Sequence, residues 1–544
     1  MNMRKYFAAF AGALLVVSAC SAGSGGSAAR KNTLTIEATG APSFIRNFNP
    51  LSSSANSGTG GLLYEPLLVF TPVQPGKATP WLATGSTWAD GGKKLTFTLR
   101  DKVQWSDGKP FSSKDVVYTF DTIKKYPDLN TKGIAFTSVT APDARTVVLT
   151  FSSPAYARLS DIGGVTPVPQ HSFGPQDPTK FTNPSPVTSG PYTLKSFAAQ
   201  VYRFTKNPHY WQPAKVKVSD IEYPAYSPAS FTTALSQGRI DWAGGFVANI
   251  DKIYTNKDKS HNKHWFPQDG IVALYLNLTK KPFDDVALRK AISTAIDRNA
   301  LSTVAESGYE KPASPTGLVL PAFQSYLSPS YADAAFSTDV SAANTMLDQA
   351  GYPEGSDGVR NDKSGKPLAF SLVIPSGYVD WVTAAKLLQS QLKKVGIKVT
   401  PQGISAQDWV GKLKNGTFQM AIRGIAAGAD PYFMYRGMLS SAFTAPAGQP
   451  AASNYERWKD TDTDKQLTSY ANTNDTAARK QAIAAIEQTM VDKLPVIPLL
   501  GSANWSEYRT TKFTGWPTPD NVYAMPAPYS APDNLLVILH LKPA

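Results

Sequence analysis

Apolar and polar residues alternate at residues 95–99 (LTFTL), and this period of two is typical of a strand with one buried face. Turn-forming residues follow at 106–110 (SDGKP). Ser112 is then placed to cap a helix that has Asp115 at its third position. The apolar residues of 116–123 recur at helical spacing, so one face of this helix is expected to be buried.

A strand, a helix and a second strand follow one another in the second half of the chain. Residues 370–374 alternate as a strand, 381–395 carry an apolar helical face, and 397–399 resume a strand after Gly396. Such a βαβ unit implies parallel pairing and a right-handed crossover. Further strands are predicted at 34–36, 272–278 and 418–422, and further helices at 288–296 and 483–490. The chain is therefore expected to be an α/β protein.

The length and charge of the chain narrow the class of protein. A length of 544 residues exceeds what one hydrophobic core supports, so two or three lobes are expected. The net charge of +13 comes from dispersed Lys and Arg residues. This dispersion favours a solvated basic surface near anionic lipid or wall polymer over nucleic-acid binding.

The N-terminus has the features of an export signal. Residues 1–19 combine a short basic start with an apolar run that is too short to span a bilayer. Val17-Ser18-Ala19-Cys20 resembles a lipobox, which implies cleavage before Cys20 and lipidation of its thiol, with stable anchoring by two or more acyl chains. The alternative is a plain secretory signal cleaved at or after Ala19. Residues 20–30 then form a flexible Gly/Ser tether, and no other cysteine is present for a disulfide.

Three stretches carry a resemblance to a known family. These are LTFTLRDKVQWSDGKPFSSKDVVYTF at 95–120, TSGPY at 188–192 and LYLNLTKKPFDDVALRKAISTAIDR at 274–298. They resemble the extracytoplasmic solute-binding proteins of family 5, the peptide/nickel/oligosaccharide class that serves ABC importers. The resemblance implies a periplasmic-binding-protein-like α/β fold (type II, cluster C), with two main lobes around a hinged cleft and an extra inserted subdomain. It also implies a small-molecule solute and an ABC permease with its ATPase subunits as partners.

The family landmarks give the expected division of the chain. Lobe I comprises 31–65, 186–278 and 505–544, the inserted subdomain comprises 66–185, and lobe II comprises 279–504. We expect a monomer without cofactor, metal or nucleic acid. It is expected outside the cytoplasm, anchored to the cell membrane through Cys20, or in the periplasmic space if the host has two membranes.

Two loops of lobe II are the first candidates for a ligand site. In open α/β sheets, ligands bind beyond the carboxyl ends of the strands, and the loops at 376–381 and 424–436 lie there. Both are rich in aromatic residues, as is 504–508. The candidate ligand-binding residues are Asn49, Tyr378, Trp381, Asp430, Tyr432, Tyr435, Arg436, Asn504 and Trp505. The alternative for each aromatic residue is that it fills a lobe core.

The same loops bear on the class of ligand. Aromatic faces with a few hydrogen-bonding side chains suit carbohydrate capture. Peptide binders of the family carry an acidic residue before an Asp-Pro or Glu-Pro pair to hold the peptide ammonium group; here the pair is Asp430-Pro431 and the earlier position is Ala427. The tail segments 513–517 and 520–524 resemble members of the family that bind cellobiose. A small, cellobiose-like oligosaccharide is therefore the first prediction, and an oligopeptide, with Asp430 as the substitute acid, is the alternative.

A secreted hydrolase is a third hypothesis, and the sequence gives it little support. The five histidines show no metal-ligand spacing, and no G-x-S-x-G motif is present. The carboxylate pair Asp284-Asp285 lies at a predicted helix start, where capping explains it. We therefore predict that the protein is not an enzyme and has no catalytic residues.

Overall fold

The computed structural model describes residues 32–38 and 41–544. The predicted export signal, Cys20 and the whole of the predicted tether lie outside the described residues. The larger sheets of the fold contain seven, five and four strands. No helix within the described ranges has the length and apolar character needed to cross a membrane.

The seven-stranded sheet takes its strands from the three segments that the sequence assigns to lobe I. Its central strand Thr33–Glu37 buries Leu34 and Ile36 and pairs in parallel with a neighbour on each side. The strands in spatial order are Asn262–His264, Glu507–Arg509, Trp242–Ala243, Thr33–Glu37, Asp220–Pro224, Val201–Lys206 and Tyr192–Ala198. The helices Pro228–Ser236 and Asp533–His540 also lie in the segments assigned to lobe I.

The inserted segment forms a four-stranded antiparallel sheet of its own, with the order Ala83–Ala89, Lys94–Leu99, Thr146–Thr150 and Ser138–Asp143. Helix Ser113–Lys125 contacts this sheet, and the predicted capping box of Ser112 and Asp115 is confirmed. The apolar side chains of this sheet and helix join those of the seven-stranded sheet in one continuous core.

The five-stranded sheet contains the predicted βαβ unit. Strands Ala369–Pro375 and Lys398–Ile404 pair in parallel and are connected by helix Val379–Lys393, as the sequence predicts. The strands in spatial order are Lys398–Ile404, Ala369–Pro375, Met420–Ala426, Gln268–Leu276 and Ile497–Ala503. The other helices of nine or more residues in this part of the chain are Val286–Ala295, Val340–Gln349, Ala406–Asn415, Pro431–Leu439, Thr461–Ala471 and Thr476–Lys493. Apolar clusters cover both faces of the sheet.

Two short segments connect the seven-stranded and five-stranded sheets. Residues 265–267 lead into strand Gln268–Leu276, and residues 504–506 lead out of strand Ile497–Ala503. The sequence-based boundary at 278 assigns strand Gln268–Leu276 to lobe I, whereas the strand lies within the five-stranded sheet. Alternation identifies a strand but not its partners, because strand pairing is a long-range property. A boundary near residue 266 keeps both sheets whole, and we use lobe II for 268–503 below.

Candidate functional site

A cavity of about 470 Å³, which we call the first cavity, lies where lobe I, the inserted subdomain and lobe II meet. Residues of 525–533 line it from lobe I, residues of 160–166 from the inserted subdomain, and residues of 426–433 from lobe II. A volume of this size is typical of small-molecule sites, which range over about 300–1,000 Å³.

Two carboxyl groups form an acidic wall of the first cavity. Asp269 begins strand Gln268–Leu276 and accepts a hydrogen bond from the side-chain amide of Asn504. Asp533 accepts hydrogen bonds from the backbone N–H of Met525 at 2.7 Å and from the hydroxyl of Thr71. Burial raises the pKa of Asp269 to about 6 and that of Asp533 to about 7. Among the residues that the structure describes, no Lys, Arg or His forms an ion pair with either carboxylate.

The inserted subdomain contributes one cation, Lys132, and one carboxylate, Asp161, to the lining of the first cavity. Lys132 lines it, and its Nζ donates to the carbonyl oxygens of Gly164 at 3.1 Å and Asp161 at 3.5 Å. Desolvation lowers the pKa of Lys132, although nearby Asp161 opposes this effect. The first cavity therefore has unpaired carboxylates on one side and an ammonium group on another.

Two contacts bring the inserted subdomain and lobe II together across the cavity. The backbone N–H of Gly76 donates to the carbonyl oxygen of Ala429 at 3.0 Å. Nη2 of Arg436 donates to Oδ2 of Asp161 at 3.4 Å. Ala429 and Asp161 line the first cavity, so these contacts join the inserted subdomain to lobe II beside it.

Two predicted site residues, Asn504 and Trp505, lie in one connecting segment. Asn504 is fully buried, and its side-chain amide bridges Asp269 of lobe II and Ser530 of lobe I. Its Oδ1 also accepts the N–H of Ala527 at 2.8 Å. Trp505 is half-buried, with its ring edge-on to Phe266 of the other segment at 4.8 Å. They adjoin the first cavity and link the lobes.

The predicted aromatic residues of lobe II are placed differently from one another. Tyr435 is fully buried and donates its hydroxyl to the carbonyl oxygen of Thr316 at 2.8 Å. Tyr432 is stacked on Tyr470 with 5.0 Å between ring centroids. Trp381 packs at the edge of the lobe II core, and Tyr378 is 48% exposed. None of these predicted aromatic residues lines the first cavity.

The polar candidates also have structural partners. Oδ1 of Asn49 accepts the N–H of Leu51, and its amide donates to backbone carbonyls of the inserted subdomain. Asp430 caps helix Pro431–Leu439 by accepting the N–H of Tyr432 at 2.9 Å. Burial raises the pKa of Asp430 to about 6. Proline at the first helical position is a sequence signal for this capping role. All nine ligand-binding assignments stay predictions.

The sequence reasoning missed the charged residues that line the first cavity. Asp269 stands between Gln268 and Gly270, ahead of the strand predicted at 272–278; Lys132 lies in a loop, and Asp533 is at the start of a helix. None of the three has a distinctive spacing, since they come from distant parts of the chain.

Comparison with known proteins agrees with this architecture. The family model of bacterial extracellular solute-binding proteins, family 5 (middle region) matches residues 77–445. The chain belongs to this family. Solute-binding proteins of family 5 deliver solutes to ABC importers, and we therefore identify the chain as an extracytoplasmic solute-binding protein of this kind.

Of two relatives that cover most of this chain, one has a name that states a ligand. Protein XP55 of Streptomyces lividans is 29% identical over 410 residues, which cover 74% of this chain and 72% of that protein. A glutathione-binding protein of Shigella flexneri is 26% identical over 464 residues, covering 81% of this chain and 84% of that protein. Each of these two alignments covers about three quarters or more of this chain.

A solved structure confirms the fold class. The periplasmic oligopeptide-binding protein of Thermotoga maritima, in a crystal structure with bound mannohexaose, is 26% identical, with a TM-score of 0.83 and coverage of 94% of this chain and 99% of that one. A second structure of the same protein gives a TM-score of 0.87. The family 5 protein thus has the type II periplasmic-binding-protein fold that the resemblance implied.

Proposed function

We propose that this family 5 receptor captures short peptides and delivers them to its ABC permease, binding them as zwitterions in the first cavity. The observation that carries the proposal is the carboxylate of Asp269, which lines the cavity without a cationic partner among the described residues. A buried carboxylate is costly without a counter-charge, and a peptide ammonium group supplies one. Asp533 lies in the same wall.

The opposite charge of the peptide also has a partner in the cavity. The Nζ of Lys132 is bound to backbone carbonyls and makes no ion pair within the described ranges that would compete with a peptide carboxylate. The volume of about 470 Å³ suits a short peptide. The names of the Shigella flexneri and Thermotoga maritima proteins support a peptide ligand.

A small, cellobiose-like oligosaccharide is the second candidate, and two observations favour it. The Thermotoga maritima protein binds mannohexaose in its crystal structure. Phe70, Phe433 and Tyr529 line the first cavity and offer aromatic faces to a sugar. A neutral sugar nevertheless leaves the charges of Asp269 and Lys132 without partners.

Calorimetric titration separates the two candidates. The probes are trialanine, N-acetyl-trialanine, cellobiose and mannohexaose, each added to the mature protein. We expect trialanine to bind and N-acetylation to weaken its binding about 100-fold, the cost of leaving a buried charge unpaired. Binding of either sugar together with no response to trialanine would overturn the proposal in favour of the oligosaccharide.

The remaining sequence predictions complete the proposed role. The sequence predicts a hinge, for which we propose the segments 265–267 and 504–506, and a monomer held at the membrane by acyl chains on Cys20. Metabolic labelling with radioactive palmitate tests the anchor, since Cys20→Ala should lose both the label and the membrane association. Label retained by this variant would contradict lipidation at Cys20.

A further inference from the structure

A second cavity of about 530 Å³ lies between the inserted subdomain and lobe II. Arg158 lines it from the inserted subdomain, and Arg436 lines it from lobe II. Asp161, which contacts both arginines, lines the first cavity. The cluster of these three side chains therefore stands between the two cavities.

The two guanidinium groups of this cluster share one carboxylate. Nε of Arg158 donates to Oδ2 of Asp161 at 2.8 Å, and Nη2 of Arg436 donates to the same oxygen at 3.4 Å. Nζ of Lys132 lies 3.5 Å from the carbonyl oxygen of Asp161. Because guanidinium groups keep their charge in proteins, this cluster carries more positive than negative charge.

Arg436 is the less satisfied of the two arginines. Its Nε and Nη1 are buried and have no hydrogen-bond partner among the described residues. Its guanidinium carbon lies 5.4, 5.2 and 5.1 Å from the ring centroids of Tyr432, Phe433 and Phe443. Aromatic rings stabilise a cation, but a buried N–H group still requires an acceptor oxygen.

Asp464, the acidic residue that lines the second cavity, does not supply an acceptor for these N–H groups of Arg436. Oδ1 of Asp464 accepts the backbone N–H of Ser441 at 2.9 Å. Over the described ranges Asp464 forms no ion pair with Arg158 or Arg436, which pair only with Asp161. Nε and Nη1 of Arg436 therefore have no acceptor at this cavity among the described residues.

We propose that the second cavity is a side pocket for the acidic side chain of an imported peptide, with Arg158 and Arg436 as the groups that bind its carboxylate. This rests on the proposed function as a peptide receptor. The nitrogens of Arg436 become accessible when lobe II moves away from the inserted subdomain, so the side chain enters before closure. Acidic peptides are then preferred solutes.

Tripeptides that differ only in charge test the proposal by calorimetry. Glutamate is placed at each position of trialanine in turn, and each peptide is compared with its glutamine counterpart. We expect a glutamate peptide to bind at least about tenfold more tightly than its counterpart, in the range of charge-assisted hydrogen bonds. In Arg436→Gln this affinity ratio should fall to near one, and in Arg436→Lys it should be intermediate. The exposed Arg145→Gln is the matched control that keeps the full ratio.

The outcomes distinguish this inference from the function on which it rests. If peptides bind but no glutamate position gives a preference, or if the preference survives in Arg436→Gln, the side pocket is overturned and the peptide receptor stands. If no peptide binds while a sugar does, both fall. A far-ultraviolet spectrum and an unfolding curve for each variant verify that the ratios come from folded protein.

Discussion

On its lobe I side the inserted subdomain shares a continuous apolar core. On its lobe II side it meets two cavities, and its contacts there are one ion pair, one backbone hydrogen bond from Gly76 to Ala429 and the packing of Ala157 in the lobe II core. The lobe I side includes Glu65, whose Oε1 accepts the indole N–H of Trp81 at 2.6 Å and the hydroxyl of Tyr210 at 2.8 Å. Its Oε2 accepts the indole N–H of Trp211 at 3.0 Å. Glu65 of lobe I thus accepts from Trp81 of the inserted subdomain and from Tyr210 and Trp211 of lobe I, so one buried carboxylate holds all three donors where the two parts meet.

The lobe II side has no comparable connection. Arg436–Asp161 is the ion pair that joins the inserted subdomain to lobe II in the part of the chain that the structure describes, and it spans 3.4 Å. The difference predicts that the interface between the inserted subdomain and lobe II is the one that opens. Buried polar groups such as Glu65 cannot be hydrated without unfolding, whereas Arg436 can be hydrated by a movement of one lobe. Lobe I and the inserted subdomain should therefore move as one body.

The largest expected effect, on the free energy of unfolding, comes from weakening the interface between the inserted subdomain and lobe I. Glu65→Ala leaves three buried donors without an acceptor and creates a cavity, so we expect a loss of about 3–5 kcal/mol in the free energy of unfolding. Denaturant titration followed by tryptophan fluorescence measures this loss. The exposed Glu354→Ala is the control and should change stability by less than about 0.5 kcal/mol. A near-native stability of Glu65→Ala would contradict a fixed interface.

The second-largest effect is on the affinity for the peptide that we place in the first cavity. Asp269→Asn removes the charge that pairs with the peptide ammonium group, so trialanine affinity should fall about 100-fold, or about 3 kcal/mol. The exposed Asp101→Asn should bind trialanine as the wild type does. Calorimetry measures both. Loss of the same size for N-acetyl-trialanine would show that Asp269 acts without recognising the ammonium group.

The pH dependence of binding should follow the same carboxylate. The pKa of Asp269 is raised to about 6, so the group is ionised at pH 7.5 and mostly protonated at pH 5. Only the ionised form pairs with an ammonium group, so trialanine affinity should fall about tenfold over this interval. The raised pKa of Asp533, about 7, adds to the same trend. Titrations at several pH values check this, and a flat profile would argue for a neutral ligand.

The sequence predicted what local patterns encode, together with what the family resemblance implied. The capping box of Ser112 and the βαβ unit around Val379–Lys393 were confirmed because both depend on residues close in sequence. The first cavity could not be predicted in this way. Asp269, Lys132 and Asp533 meet only through long-range strand pairing. Tyr435 lies in a stretch rich in aromatic residues, which is typical of a ligand-binding surface. Its helix is buried on several sides, and hydrophobic periodicity in the sequence does not predict that burial.

The smallest effect should come from removing the ion pair Arg436–Asp161, which joins lobe II to the inserted subdomain. Asp161→Asn keeps a hydrogen-bond acceptor but removes the charge between Arg158 and Arg436, so the two guanidinium groups repel each other in the closed form. Opening relieves this repulsion by hydration, and the cost to global stability should stay below about 1 kcal/mol. Peptide affinity should fall only about threefold, because part of the binding free energy is then used to shift the protein from the open to the closed form. Small-angle scattering should give a larger radius of gyration than the wild type without peptide and the same radius at saturation. A stability loss like that of Glu65→Ala would mean that both faces of the inserted subdomain are fixed.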